Sequence, residues 1–169
     1  SRGVDVNTAM HDGRTPLHAA AGSETRGGHL DMVKFLVTRG ASINHRKSDG
    51  RTALYVASLY GHIDIVKYLI NAGAEFKEGD NEGWTPLHAA CGGGHLHVAQ
   101  LLVSLGADIN KVKNDGGTPL RVAAANGRLD TVKYLISKGA VVDKQDNAGN
   151  TALHFGSMHG HAQVVDFLL

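Results

Sequence analysis

The chain has 169 residues, 42% of them hydrophobic and 20% charged, which is enough apolar content for a core and too little charge for a disordered chain. Lys and Arg (17) against Asp and Glu (16) leave a formal charge of +1, which excludes a broad phosphate-binding surface and removes nucleic acid as the expected partner. A single cysteine, Cys91, excludes an internal disulfide, and no apolar run approaches the ~20 residues of a membrane span; the expected setting is the cytoplasm or nucleus, without membrane contact.

Glycine is the anomaly, at 22 residues against 3 prolines, nearly double the usual share of roughly 7%. In chain order, residues 1–11 read as the end of a unit closing on Gly3-Val4-Asp5-Val6-Asn7. The turn dipeptide Asp12-Gly13 follows, then Thr15-Pro16-Leu17-His18, with threonine at an N-cap and proline at the first helical position. An alanine-rich helix of about two turns comes next, then a glycine break, then a second helix with apolar residues at helical spacing. Gly40, as a C′ residue, ends it. The block returns at Thr52, Thr85, Thr118 and Thr151, in steps of 37, 33, 33 and 33.

Gly40, Gly73, Gly106 and Gly139 keep the same step of 33. The extra four residues lie in the first full unit, around Gly22-Ser23-Glu24-Thr25-Arg26-Gly27, as a functional loop or a tolerated insertion. Fifteen of the 22 glycines fall in three phased columns, led by Gly13, Gly28 and Gly3. The predicted organisation is a single domain over 1–169. It comprises the end of a unit at 1–11, the unit with the insertion at 12–48, then 49–81, 82–114, 115–147 and an incomplete 148–169. No such unit buries enough apolar surface alone, so the units stack in series around one continuous core. Both ends expose stacking surface, and further segments are expected beyond them.

Motifs for chemistry are lacking. Phosphate-loop, zinc-protease, nucleophile-elbow and paired-cysteine patterns are missing, so no enzyme activity, catalytic residue or cofactor is expected. Seven of the eleven histidines sit in two phased slots, His18, His88 and His154 in one and His29, His62, His95 and His161 in the other. Structural roles are therefore expected for them, and no metal. Cys91 occupies an alanine slot on the first helix of its unit and reads as a buried, inert thiol. Lys34, Lys67 and Lys133 form a column on the second helices and read as a solvated face.

The stretch Gly83, Thr85, Pro86, Leu87, His88, Ala90, Gly94, His95, Leu102, Gly106, Ala107, Asp108 and Asn110 carries a pattern that recurs over nearly the whole chain and resembles the ankyrin repeat. The departures are Tyr55 and Arg121 for the motif histidine, Arg128 for the second histidine and Gly156 for a helix alanine, each expected to weaken local regularity. The resemblance implies an all-α solenoid of antiparallel helix pairs with β-hairpin fingers, curved like a cupped hand, that binds a partner protein or peptide through finger tips and inner helices. It leaves as alternatives an architectural or elastic segment of a membrane channel or membrane-skeleton adaptor, and the substrate-recognition part of a ubiquitin-ligase subunit.

Carried over position by position, the finger tips are His11, Asp12 and Arg14; Ser48, Asp49 and Arg51; Asn81, Glu82 and Trp84; Asn114 and Asp115; and Asn147 and Asn150. The inner-helix ends are Leu59, Tyr60, Asn126, Met158 and His159. The expected partner-binding set is Arg14, Arg51, Leu59, Tyr60, Trp84, Glu82, Asn126, Asn150, Met158 and His159. Trp84, Tyr60, Leu59 and Arg51 are its central anchor, because large amphipathic side chains stand at columns that are otherwise variable. A methyl-lysine cage around Trp84 is disfavoured for want of further aromatic walls. Phe35, Tyr68, Tyr134 and Phe167 share a second-helix column and read as packing, as does Phe155. The resemblance further implies asparagine hydroxylation in the hairpins, at Asn110 behind Leu102, Asp108 and Ile109, and less well at Asn44, where Ser42 replaces the acid.

Overall fold

The computed structural model describes residues 3–23 and 27–169; the expected insertion thus falls largely on residues 24–26, outside the described residues. Each 33-residue period forms a helix pair. The inner helices are α1 (Pro16–Ala21), α3 (Ala53–Tyr60), α5 (Pro86–Gly93), α7 (Pro119–Ala125) and α9 (Ala152–Met158). The outer helices are α2 (Leu30–Thr38), α4 (Ile63–Asn71), α6 (Leu96–Ser104), α8 (Leu129–Ser137) and α10 (Ala162–Leu168). Each inner helix starts where a threonine in extended conformation turns the chain, and the hydroxyls of Thr52, Thr85 and Thr118 accept the third helical N–H. Where histidine follows, its Nδ1 accepts the threonine N–H, at 3.4 Å for His18 and 3.2 Å for His88. That contact satisfies a second orphan donor.

All fifteen phased glycines have positive φ, from +66° at Gly28 and Gly127 to +97° at Gly73. The glycine excess is therefore a backbone requirement, since a Cβ is strained in that region.

Inner helices pack on inner helices and outer on outer, in chain order. The inner row packs more closely than the outer, as its alanines allow. The core is columnar: Leu17, Leu54, Leu87 and Leu120 are at most 1% exposed, beside Ala57, Ala90, Ala123 and the outer-helix column Val33, Val66, Ala99, Val132. Cys91 is fully buried in its alanine slot. Tyr68 and Tyr134 pack on this core, but Phe35 and Phe167, expected as packing, are 48% and 42% exposed. Instead of entering the core they lie under Arg39 and Lys133.

The fingers are tight turns. In each, one backbone bond closes the turn and a second pairs its flanks, as in Gly83 N–H to Asp80 O and Asp80 N–H to Trp84 O, both 2.9 Å. No strand occurs among the described residues, because one pairing per turn is too short for a ladder. Each finger also donates one backbone bond to the finger before it: Ser48 to Asp12, Asn81 to Asp49, Asn114 to Glu82 and Asn147 to Asp115.

Candidate functional site

Side chains bonded across the seams between repeats are not free for a partner. The asparagine finger tips take part in a seam: Asn81, Asn114 and Asn147 each donate from Nδ2 to the carbonyl of the preceding tip, at 2.9–3.0 Å. They lock finger to finger. Asn44 and Asn110 are likewise in use, each donating to the glycine carbonyl of the next hairpin (Gly73, Gly139) and accepting an N–H two residues beyond it (Glu75, Val141). The second-turn rings of His62, His95 and His161 bond the carbonyls of Ser23, Leu59 and Ala125 in the preceding repeat. Arg128 reproduces that contact with Nε to Gly92 O at 3.1 Å, so this departure keeps the seam.

The motif-slot histidines behave similarly. His18 and His88 accept on Nδ1 and reach with Nε2 to the carbonyls of Arg51 and Gly117. Burial holds the His88 ring down at about 4, and burial also lowers His18, where the nearby charges of His45, Lys47 and Arg14 act in the same direction.

Arg121 is the departure with the largest consequence. Its side chain is 8% exposed and bridges two carboxylates, Asp146 at 2.8 Å and Asp115 at 2.6 Å, while its guanidinium stacks 4.4 Å from the Phe155 ring. Asp115 also accepts from Lys113 at 2.5 Å. Burial alone would push the Asp115 carboxyl up, yet the bonds from Lys113, Arg121 and the Gly117 N–H hold it well below the usual carboxylate range. A Cβ built on Gly117 would stand 1.9 Å from Arg121 Nη2, so this glycine makes room for the arginine. Arg121 Nε is the one buried side-chain nitrogen or oxygen without a partner among the described residues.

The expected partner-binding set falls mainly on two clefts. Arg14, Arg51, Leu59 and Tyr60 line the first, about 210 Å³, with Lys47 and Tyr55. Trp84, Asn126 and His159 line the second, about 290 Å³, with Phe155, Val122 and Lys113. Arg51 is held in place through Nε, which bonds Asp80 at 3.0 Å, and Asp80 is 2% exposed. Trp84 is half-buried, edge-on to His88, with the Lys113 ammonium 4.6 Å over its face. The further aromatic walls that sequence did not reveal do exist, in Phe155 and His159, but the faces of Trp84 and Phe155 are covered by Lys113 and Arg121. Leu59, Tyr60 and Met158 are exposed at 36%, 42% and 62%. Met158, Glu82 and Asn150 line neither cleft. Asn150 is tied to Asp146 through its backbone N–H, and Glu82 lies exposed on its finger.

Sequence reading passed over the finger position held by Lys47, Asp80, Lys113 and Asp146. Its alternation of sign down the column was the available signal: the aspartates take Arg51 and Arg121 from the preceding repeat, and the lysines bond aspartates of their own finger.

A family model described as ankyrin repeats in three copies matches residues 2–80, 24–113, 72–146 and 105–169. The chain belongs to the ankyrin repeat family. An ankyrin repeat-containing protein of Schizosaccharomyces pombe is 46% identical over 54 residues, 32% of this chain and 24% of that protein. Alpha-latrocrustotoxin-Lt1a of Latrodectus tredecimguttatus is 46% identical over 41 residues, 24% of this chain and 3% of the toxin. The chain thus matches a quarter or less of each relative's length. Among the described residues, no helix of this ankyrin array is long and apolar enough to cross a membrane.

Proposed function

We propose that this ankyrin array is a non-catalytic recognition module that holds a partner protein or peptide on its concave side, between fingers and inner helices. The observation that supports it is the contrast between columns. Seam side chains are bonded repeat to repeat, whereas Leu59, Tyr60 and Met158 stand exposed at the ends of the inner helices, and Tyr60 and Trp84 open onto the two clefts. Aromatics that open onto clefts and are desolvated when a partner docks are what partner surfaces use as anchors. The stacked scaffold holds them in place before binding, which lowers the ordering cost of association.

The test is calorimetric titration of a partner recovered with the whole protein against Tyr60→Ala, Trp84→Ala and Lys67→Ala, the last on an outer helix. The expected result is a loss of about tenfold or more for each aromatic, as for a hot spot of at least ~1.4 kcal/mol, and no change for Lys67→Ala. Unchanged affinity in both aromatic variants overturns the concave-face reading.

A further inference from the structure

The first cleft is chemically one-sided. Three cations, Arg14, Lys47 and Arg51, stand in its walls with His18, and no carboxylate among the described residues lines it. The acids that balance them sit elsewhere: Asp12 holds Arg14 through one Nη at 3.3 Å, Asp49 holds Lys47, and Asp80 holds Arg51 through Nε. Among the described residues, both terminal nitrogens of Arg51 therefore lack a partner, as do Nε and the other terminal nitrogen of Arg14. None of them is sealed from solvent, since the buried unpartnered atom among the described residues belongs to Arg121. The guanidinium of Arg51 is further fixed by the Tyr55 ring, 5.0 Å away. The rest of the lining includes the apolar and aromatic side chains Val56, Leu59 and Tyr60. Preorganised guanidinium donors beside a desolvating wall suit a carboxylate, which accepts two parallel N–H bonds. The volume, about 210 Å³, suits one or two side chains.

We propose that this cleft receives an acidic residue of the partner, its carboxylate on Arg14 and Arg51, with a neighbouring apolar side chain of the same segment against Leu59 and Tyr60. The occupant is an acidic–apolar protein segment. This rests on the concave-face reading and narrows it to a partner chemistry. The second cleft differs in its lining, where the Asp115 carboxylate stands in the wall beside Lys113 and Arg121.

The test is selection of a randomised peptide library on the purified chain, followed by fluorescence-polarisation titration of an enriched peptide. The expected consensus places Asp or Glu beside an aliphatic or aromatic residue. Binding should weaken about tenfold in Arg14→Glu, the worth of a charge-assisted pair, weaken less in Arg14→Lys, which keeps the charge but not the fork, and fall as salt rises. Arg14 is half-exposed, so its reversal should leave the helical spectrum intact. If it does not, Tyr60→Ala reads the apolar half of the site and should weaken the same peptide. An acidic peptide indifferent to Arg14→Glu, or to Tyr60→Ala where that variant is the readout, overturns the proposal. An enriched peptide without acid that is lost on Trp84→Ala overturns this proposal and leaves the concave-face reading standing. No enriched peptide overturns both.

Discussion

At the scale of single residues, Arg121 and His88 show two solutions to one slot. His88 is neutral and buried, accepting from Thr85 and reaching Gly117 O; Arg121 is charged and buried, and needs two carboxylates and the missing side chain of Gly117. Gly117→Ala should therefore destabilise the protein, while Gly117→Ala in an Arg121→His background should cost little. The coupling expected from a double-mutant cycle in urea is about 1–3 kcal/mol; simple additivity would show that the two positions act independently.

His88 also sets a pH dependence. The unfolded chain binds this proton near 6.5 and the folded chain only near 4. A lowered histidine contributes fully above its unfolded value and is lost as pH falls through the window between the two. Between pH 7 and pH 5, His88 alone should remove about 2 kcal/mol of stability, and His88→Gln should lose about that much less over the same interval in urea unfolding.

At the scale of elements, the hairpins between repeats are joined by one asparagine each: Asn7, Asn44 and Asn110 accept an N–H and donate to a carbonyl of the next hairpin. Lys77 holds that column at the remaining seam, and an ammonium has no acceptor to offer the Asp108 N–H. Lys77→Asn should raise stability by about 0.5–1 kcal/mol and Asn110→Ala should lower it by about 1–2 kcal/mol, both measured by chemical denaturation. The column was legible in the sequence. That its amide bonds the next repeat was not, because the partner groups are backbone atoms some thirty residues away.

At the scale of the whole molecule, stability is a sum of repeats and seams, so position in the stack should matter. Leu87, 1% exposed between two neighbours, should cost roughly 2–5 kcal/mol when cut to alanine. Leu153 holds the same column in the last repeat but is only partly buried, and its truncation should cost clearly less; equal losses in thermal or urea melts would contradict a nearest-neighbour stack. Period, helix order, caps and the leucine, alanine and glycine columns could all be read from the chain, because each is a local demand repeated every 33 residues: a positive φ, a satisfied N–H, a buried face. The candidate site could be read only in part. Tyr60 and Trp84 stand out against their columns, but only packing decides that Asp80 fixes Arg51 through Nε, that Lys113 covers Trp84, and that Tyr60 and Trp84 open onto different clefts. Those outcomes depend on side chains from successive repeats meeting across a seam, and the distance across a seam is a property of the stack, not of any repeat within it.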